Sequence, residues 1–135
     1  MKPDVSPPTP LALESFLELN TARPNRTVLV QQPRLKVIHL TLAPGQALPL
    51  HQHPGCYVLL QSLSGTTTVK LGEDEIVLAP RQLLGFSGET YVSPRNDSAA
   101  PSALLITLSS MTVRREDEYP ASTATPRVPR RAPLG

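Results

Sequence analysis

Turn signals recur along this chain at such short intervals that only short strands fit between them. They run Arg23-Pro24-Asn25, Ala43-Pro44-Gly45, Pro54-Gly55, Ser64-Gly65, Gly72-Glu73-Asp74, Pro80-Arg81-Gln82, Ser87-Gly88-Glu89 and Asn96-Asp97-Ser98. Proline presets φ and glycine reaches positive φ, so each cluster reverses or breaks the chain. The pieces between them are apolar and β-branched: Thr27–Gln31, Leu35–Leu42, Ala47–His51, Tyr57–Leu63, Thr66–Leu71, Glu75–Ala79, Leu83–Phe86, Thr90–Ser93 and Ala103–Leu108. Met111–Arg115 continues the pattern as an edge, and Pro94 to Ser102 reads as a loop. About nine or ten short strands at close spacing predict an all-β barrel or sandwich. No helical pattern alternates with the strands, which excludes α/β folds.

Proline marks the limits of this domain. Of 16 prolines, Pro3, Pro7, Pro8 and Pro10 crowd the start and Pro120, Pro126, Pro129 and Pro133 the end. The reading is a disordered or extended segment over 1–10, a barrel over 11–119 and a disordered tail over 120–135. The net charge of +2 comes from that tail, which carries Arg127, Arg130 and Arg131 and no acid. Without it basic and acidic residues nearly balance, so no nucleic-acid-binding face is expected. One cysteine makes no internal disulfide, no apolar run reaches membrane-spanning length, and the start lacks a secretory core. The expectation is a cytoplasmic protein that binds no membrane.

Leu11–Asn20 reads as a short helix, with Thr9 as N-cap, Pro10 at the first helical position and Leu13, Phe16, Leu17 and Leu19 facing the body. A strand is the competing reading. In Leu35–Leu42 strict alternation puts Leu35, Val37, His39 and Thr41 on one face and Lys36, Ile38, Leu40 and Leu42 on the other. Tyr57–Leu63 is apolar on both faces and belongs inside a sheet.

The chemistry-bearing stretch is Leu42–Cys56, with two of the three histidines and the only cysteine. His51 and His53 are two residues apart, so on an extended chain both rings enter the same space. Two cis imidazoles suit a first-row metal; the alternative is a pair of polar side chains at a barrel mouth. Cys56 is either a third ligand or a small buried hydrophobe. His39, between apolar neighbours, reads as structural or surface. The acids Glu73, Asp74 and Glu75 form a solvated hairpin tip. No phosphate loop or nucleophile elbow is present.

Gly45, five residues, His51-Gln52-His53 and then Gly65 resemble the first motif of the cupins, which has a glutamate where this chain has Val58. The second motif is matched by its frame. Counted back from Asn96, its glycine, proline, glycine and histidine positions hold Arg81, Ser87, Glu89 and Val92. The resemblance spans Leu35 to Leu108. It implies a double-stranded β-helix, or jelly roll, and a homodimer. It also implies that His51 and His53 are what remains of a four-ligand site for iron, manganese, nickel, zinc or copper. Val58, Val92 and Phe86 are expected to make the pocket apolar. Two functions follow as expectations: a barrel binding a small, partly apolar ligand between His51 and His53, or a dioxygenase- or isomerase-type metalloenzyme with a reduced two-histidine site.

Overall fold

The computed structural model describes residues 7–111. The expectations for 1–6, for the tail 120–135 and for a strand past Met111 lie outside them. Among the described residues eight strands form: β1 Asn25–Gln32, β2 Leu35–Leu42, β3 Cys56–Ser64, β4 Thr67–Leu71, β5 Asp74–Leu78, β6 Leu83–Ser87, β7 Val92–Arg95 and β8 Ser102–Ser110. They pair antiparallel in two sheets, β1-β2-β8-β3-β6 and β5-β4-β7. This is an all-β barrel, as the turn spacing predicts, and the jelly roll that the resemblance implies.

The core fills the space between the sheets. Ile38, Leu40 and Leu42 of β2 meet Val58 and Leu60 of β3, Leu104 and Ile106 of β8, and Val69, Leu78, Phe86 and Val92 from the remaining strands. Each follows the two-residue alternation of its strand. β2 has the expected bounds, and β3 does lie inside a sheet, between β8 and β6. The outer face of β3 is open, however, with Tyr57 41% exposed.

Ala47–His51 does not form a full strand. It touches β7 through two isolated bridges, Ala47 with Arg95 and His51 with Val92. β7 in turn runs through Pro94, where a loop was expected. Proline cannot return the hydrogen bond of a regular pair. Instead Leu48 N–H donates to Pro94 O (2.9 Å), and the Ser93 hydroxyl donates to Leu48 O (2.6 Å), occupying the acceptor that the proline leaves.

Leu11–Asn20 forms one 3-10 turn, Leu13–Phe16, with Ala12 at its N-cap and no side-chain cap. Thr9 and Pro10 belong to no helix or strand. Asn20 caps no helix: its Oδ1 accepts from Ala22 N–H at 2.8 Å, and its carbonyl accepts from Gln46 Nε2 at 2.6 Å. Thr41 Oγ1 donates to Phe16 O at 3.2 Å. These bonds to the barrel, rather than helix propensity, set the path of the segment.

The segment covers the outer face of β2. His39 is fully buried there, with its ring 5.8 Å from that of Phe16 and neither ring nitrogen hydrogen-bonded. The structural reading of His39 therefore holds, in an apolar setting.

Candidate functional site

Two turns set the histidine segment. In Ala43–Gln46, Gln46 N–H donates to Ala43 O at 3.0 Å, with proline second and Gly45 third at a φ of 86°. That is a type II turn, whose third position demands positive φ. Further on, His53 N–H donates to Gly88 O (2.8 Å), and Cys56 O accepts from Gly88 N–H (2.7 Å). A Cβ on Gly88 would collide with the carbonyls of His53 and Cys56, so only glycine fits this approach. Asn96, fully buried, ties the other end of the segment. Its amide donates to Leu42 O (3.0 Å) and Ala100 O (2.8 Å), while Gly45 N–H donates to its backbone carbonyl (2.8 Å).

These ties bring the two imidazoles together. Their centroids lie 4.8 Å apart and their planes cross at 90°. His51 Nδ1 is 2.7 Å from Pro49 O. A carbonyl only accepts, so Nδ1 carries the hydrogen and Nε2 of the neutral ring keeps its lone pair. His53 is pushed below the ordinary histidine pKa, first by burial and then by the positive surroundings of His51, Arg26 and Lys36.

Both rings line a cavity of about 240 Å³ between the sheets, walled by Arg26, Ile38, Leu48, Pro49 and Ile106. Drug-sized ligands use roughly 300–1,000 Å³, so this space suits a small molecule. A cavity of about 300 Å³ lies elsewhere, among Leu13, Glu14, Leu17, Leu63 and Ser64, but it has no convergent polar set.

The expected apolar lining is placed differently. Val58, Val92 and Phe86 lie in the packed core and do not line the cavity; its apolar wall is Leu48 and Pro49 with two other core residues, Ile38 and Ile106. Cys56 does not join the histidines. The Pro54-Gly55 turn, closed by Cys56 N–H to His53 O at 3.1 Å, carries it away. It lines a separate cavity of about 150 Å³ with Lys36 and Leu108. Arg26, in contrast, was not foreseen. It precedes the predicted strand Thr27–Gln31 by one residue, and its alternation with Val28 was the available signal.

Among the described residues no group of three or more His, Cys, Asp or Glu side chains is placed to hold a metal ion. Two imidazoles beside a guanidinium, with no carboxylate in the lining, supply too few donors to hold a dication by themselves. Nor is any helix among the described residues long and apolar enough to cross a membrane.

No family model and no curated protein matches the sequence. Solved structures do match. The protein TT1209 from Thermus thermophilus superposes with a TM-score of 0.70 at 28% identity, over 74% of this chain and 95% of its own. A conserved protein with a double-stranded β-helix domain from Klebsiella pneumoniae gives 0.72 at 15%, over 78% and 93%. A cupin superfamily protein from Desulfitobacterium hafniense gives 0.67 at 17%, over 78% and 94%. The fold is that of the cupins. As a cupin fold it accounts for the backbone at Arg81, where the second motif begins with glycine. Arg81 has a φ of 70°, the one non-glycine with positive φ among the described residues.

Proposed function

We propose that this cupin barrel is a binding module that takes a small, partly apolar molecule in the cavity between its sheets, with His51 and His53 as polar anchors. The observation that carries this reading is the joint presence of both imidazoles and four apolar side chains around one small cavity. The test is a small-fragment screen followed by backbone amide NMR. Shifts clustering on Ile38, Leu48, His51, His53 and Ile106, and lost in the His51→Ala/His53→Ala variant, are expected. A screen without hits on this wall removes the reading.

A second reading, a metal-dependent enzyme of dioxygenase or isomerase type, is favoured by one contact. The bond from His51 to Pro49 O leaves Nε2 free, as carbonyl-oriented metal ligands do. It requires further donors from water or substrate. Elemental analysis after expression with zinc, iron, manganese, nickel and copper decides it: one equivalent per chain, lost in the double variant, supports it, and no metal ends it.

The barrel is further proposed to work as a homodimer. Support comes from the outer face of β3 and the edge strand β6, where Tyr57 lies over Gly85 and Leu83 is 62% exposed. Sedimentation equilibrium measures this, and a monomer at all concentrations refutes it.

A further inference from the structure

We propose that the ligand of the histidine cavity is a small organic anion, a carboxylic acid with a short apolar body, its charged end at Arg26 and its body against Ile38, Leu48 and Ile106. This rests on the reading of that cavity as the binding site. It adds the ligand's charge.

The sign of the charge follows from what lines the space. Three polar side chains reach the wall, Arg26, His51 and His53, and none is an acid. Arg26 faces the interior by register. It pairs with Leu40, a core residue, and paired residues of antiparallel strands share a face. Lys36 has the same parity on β2, two residues from Ile38, and adds a second cation on that face of the sheet.

Arg26 also lacks a counter-ion. The ion pairs among the described residues belong to Arg95, which binds Glu75 at 3.0 Å and Asp97 at 2.7 Å. No carboxylate of the described residues pairs with Arg26. A guanidinium at the open mouth of a barrel cavity, beside apolar walls and without an internal partner, is suited to a planar anion that it can hold through two parallel hydrogen bonds. The other wall sets the rest of the ligand: Ile38, Leu48, Pro49 and Ile106 offer no hydrogen-bonding side chain. The small volume limits the apolar body to a few carbons.

The experiment uses the full chain and three matched probes, 4-methylpentanoate, 4-methylpentanamide and 4-methylpentylamine, titrated by amide NMR at constant pH and ionic strength. The acid is expected to bind at least tenfold more tightly than the amide, and the amine most weakly. Arg26→Gln, a substitution at an exposed position, is expected to bring acid and amide within about twofold, chiefly by weakening the acid. Raising salt is expected to reduce the acid's advantage in the wild type. If acid and amide bind this wall equally, or if the acid's advantage survives Arg26→Gln, the charge assignment is overturned and the cavity reading stands. If no probe shifts Ile38, Leu48 or Ile106, both fall.

Discussion

His51 and Val92 form a reciprocal backbone pair: His51 N–H donates to Val92 O at 3.0 Å, and Val92 N–H donates to His51 O at 2.7 Å. Residues paired this way project to the same side. The first motif's leading histidine thus stands beside the position where the second motif carries its own histidine and this chain carries valine.

A single substitution should therefore change the donor count. Val92→His adds a third imidazole on the side of His51 and His53. The variant is expected to bind zinc or nickel at least a hundredfold more tightly than the parent, measured by competition with a chromogenic chelator. It should lose about 1–3 kcal/mol of stability without metal, because a polar ring replaces a core methyl pair. Equal affinity in parent and variant would show that the three side chains do not converge.

His39 predicts how stability depends on pH. Burial holds its pKa below the ordinary 6.5. The unfolded chain then binds more protons than the folded one between the folded value and 6.5. Stability is complete above about 6.5 and falls as pH drops through that window. His53, lowered mainly by burial, contributes with the same sign. His39→Leu removes two unbonded ring nitrogens beneath Phe16. It is expected to raise the melting temperature at pH 7, by about 1 kcal/mol of stability, and to flatten the profile below the ordinary histidine value of 6.5. A parallel profile would mean that the ring is solvated in the folded protein.

Arg81 stands third in the turn Ala79–Gln82, closed by Gln82 N–H to Ala79 O at 3.2 Å. With Pro80 second and a φ of 70° at Arg81, this is again a turn that favours glycine. Arg81→Gly relieves a left-handed backbone worth roughly 1–2 kcal/mol, partly offset by the freer unfolded chain. The net expectation is a gain of up to about 1 kcal/mol in chemical denaturation, with no change in ligand affinity. A loss of stability would mean that the arginine side chain contributes more than its backbone costs.

The strands were legible because their signals are local. Alternation and flanking turns place β2, and glycine at Gly45 and Gly65 marks reversals that the chain makes. The two-residue spacing of His51 and His53 suggests their shared side, although the backbone bonds to Val92 and Gly88, rather than a regular strand, hold them there. What local pattern cannot supply is which element covers which. Phe16 over His39 is a contact between residues far apart in sequence. The inward direction of Arg26 depends on pairing with β2, whose register slips between Val28 and Val30. Cys56 is three residues from His53, yet the turn at Pro54-Gly55 sends it to another cavity. The N-terminal helix shrinks to Leu13–Phe16 for a related reason: a single turn is too short to stand on propensity, so its hydrogen bonds to the barrel decide its course.

The two histidines are held in position through their main chain, His51 by Val92 and His53 by Gly88. None of these hydrogen-bonding groups depends on which side chain the partner carries, apart from the room that Gly88 must leave. A barrel anchored in this way can change what stands in its interior by single substitutions, in either direction, without rebuilding its frame. Descendants of one ancestor can thus part ways in chemistry long before they part ways in shape.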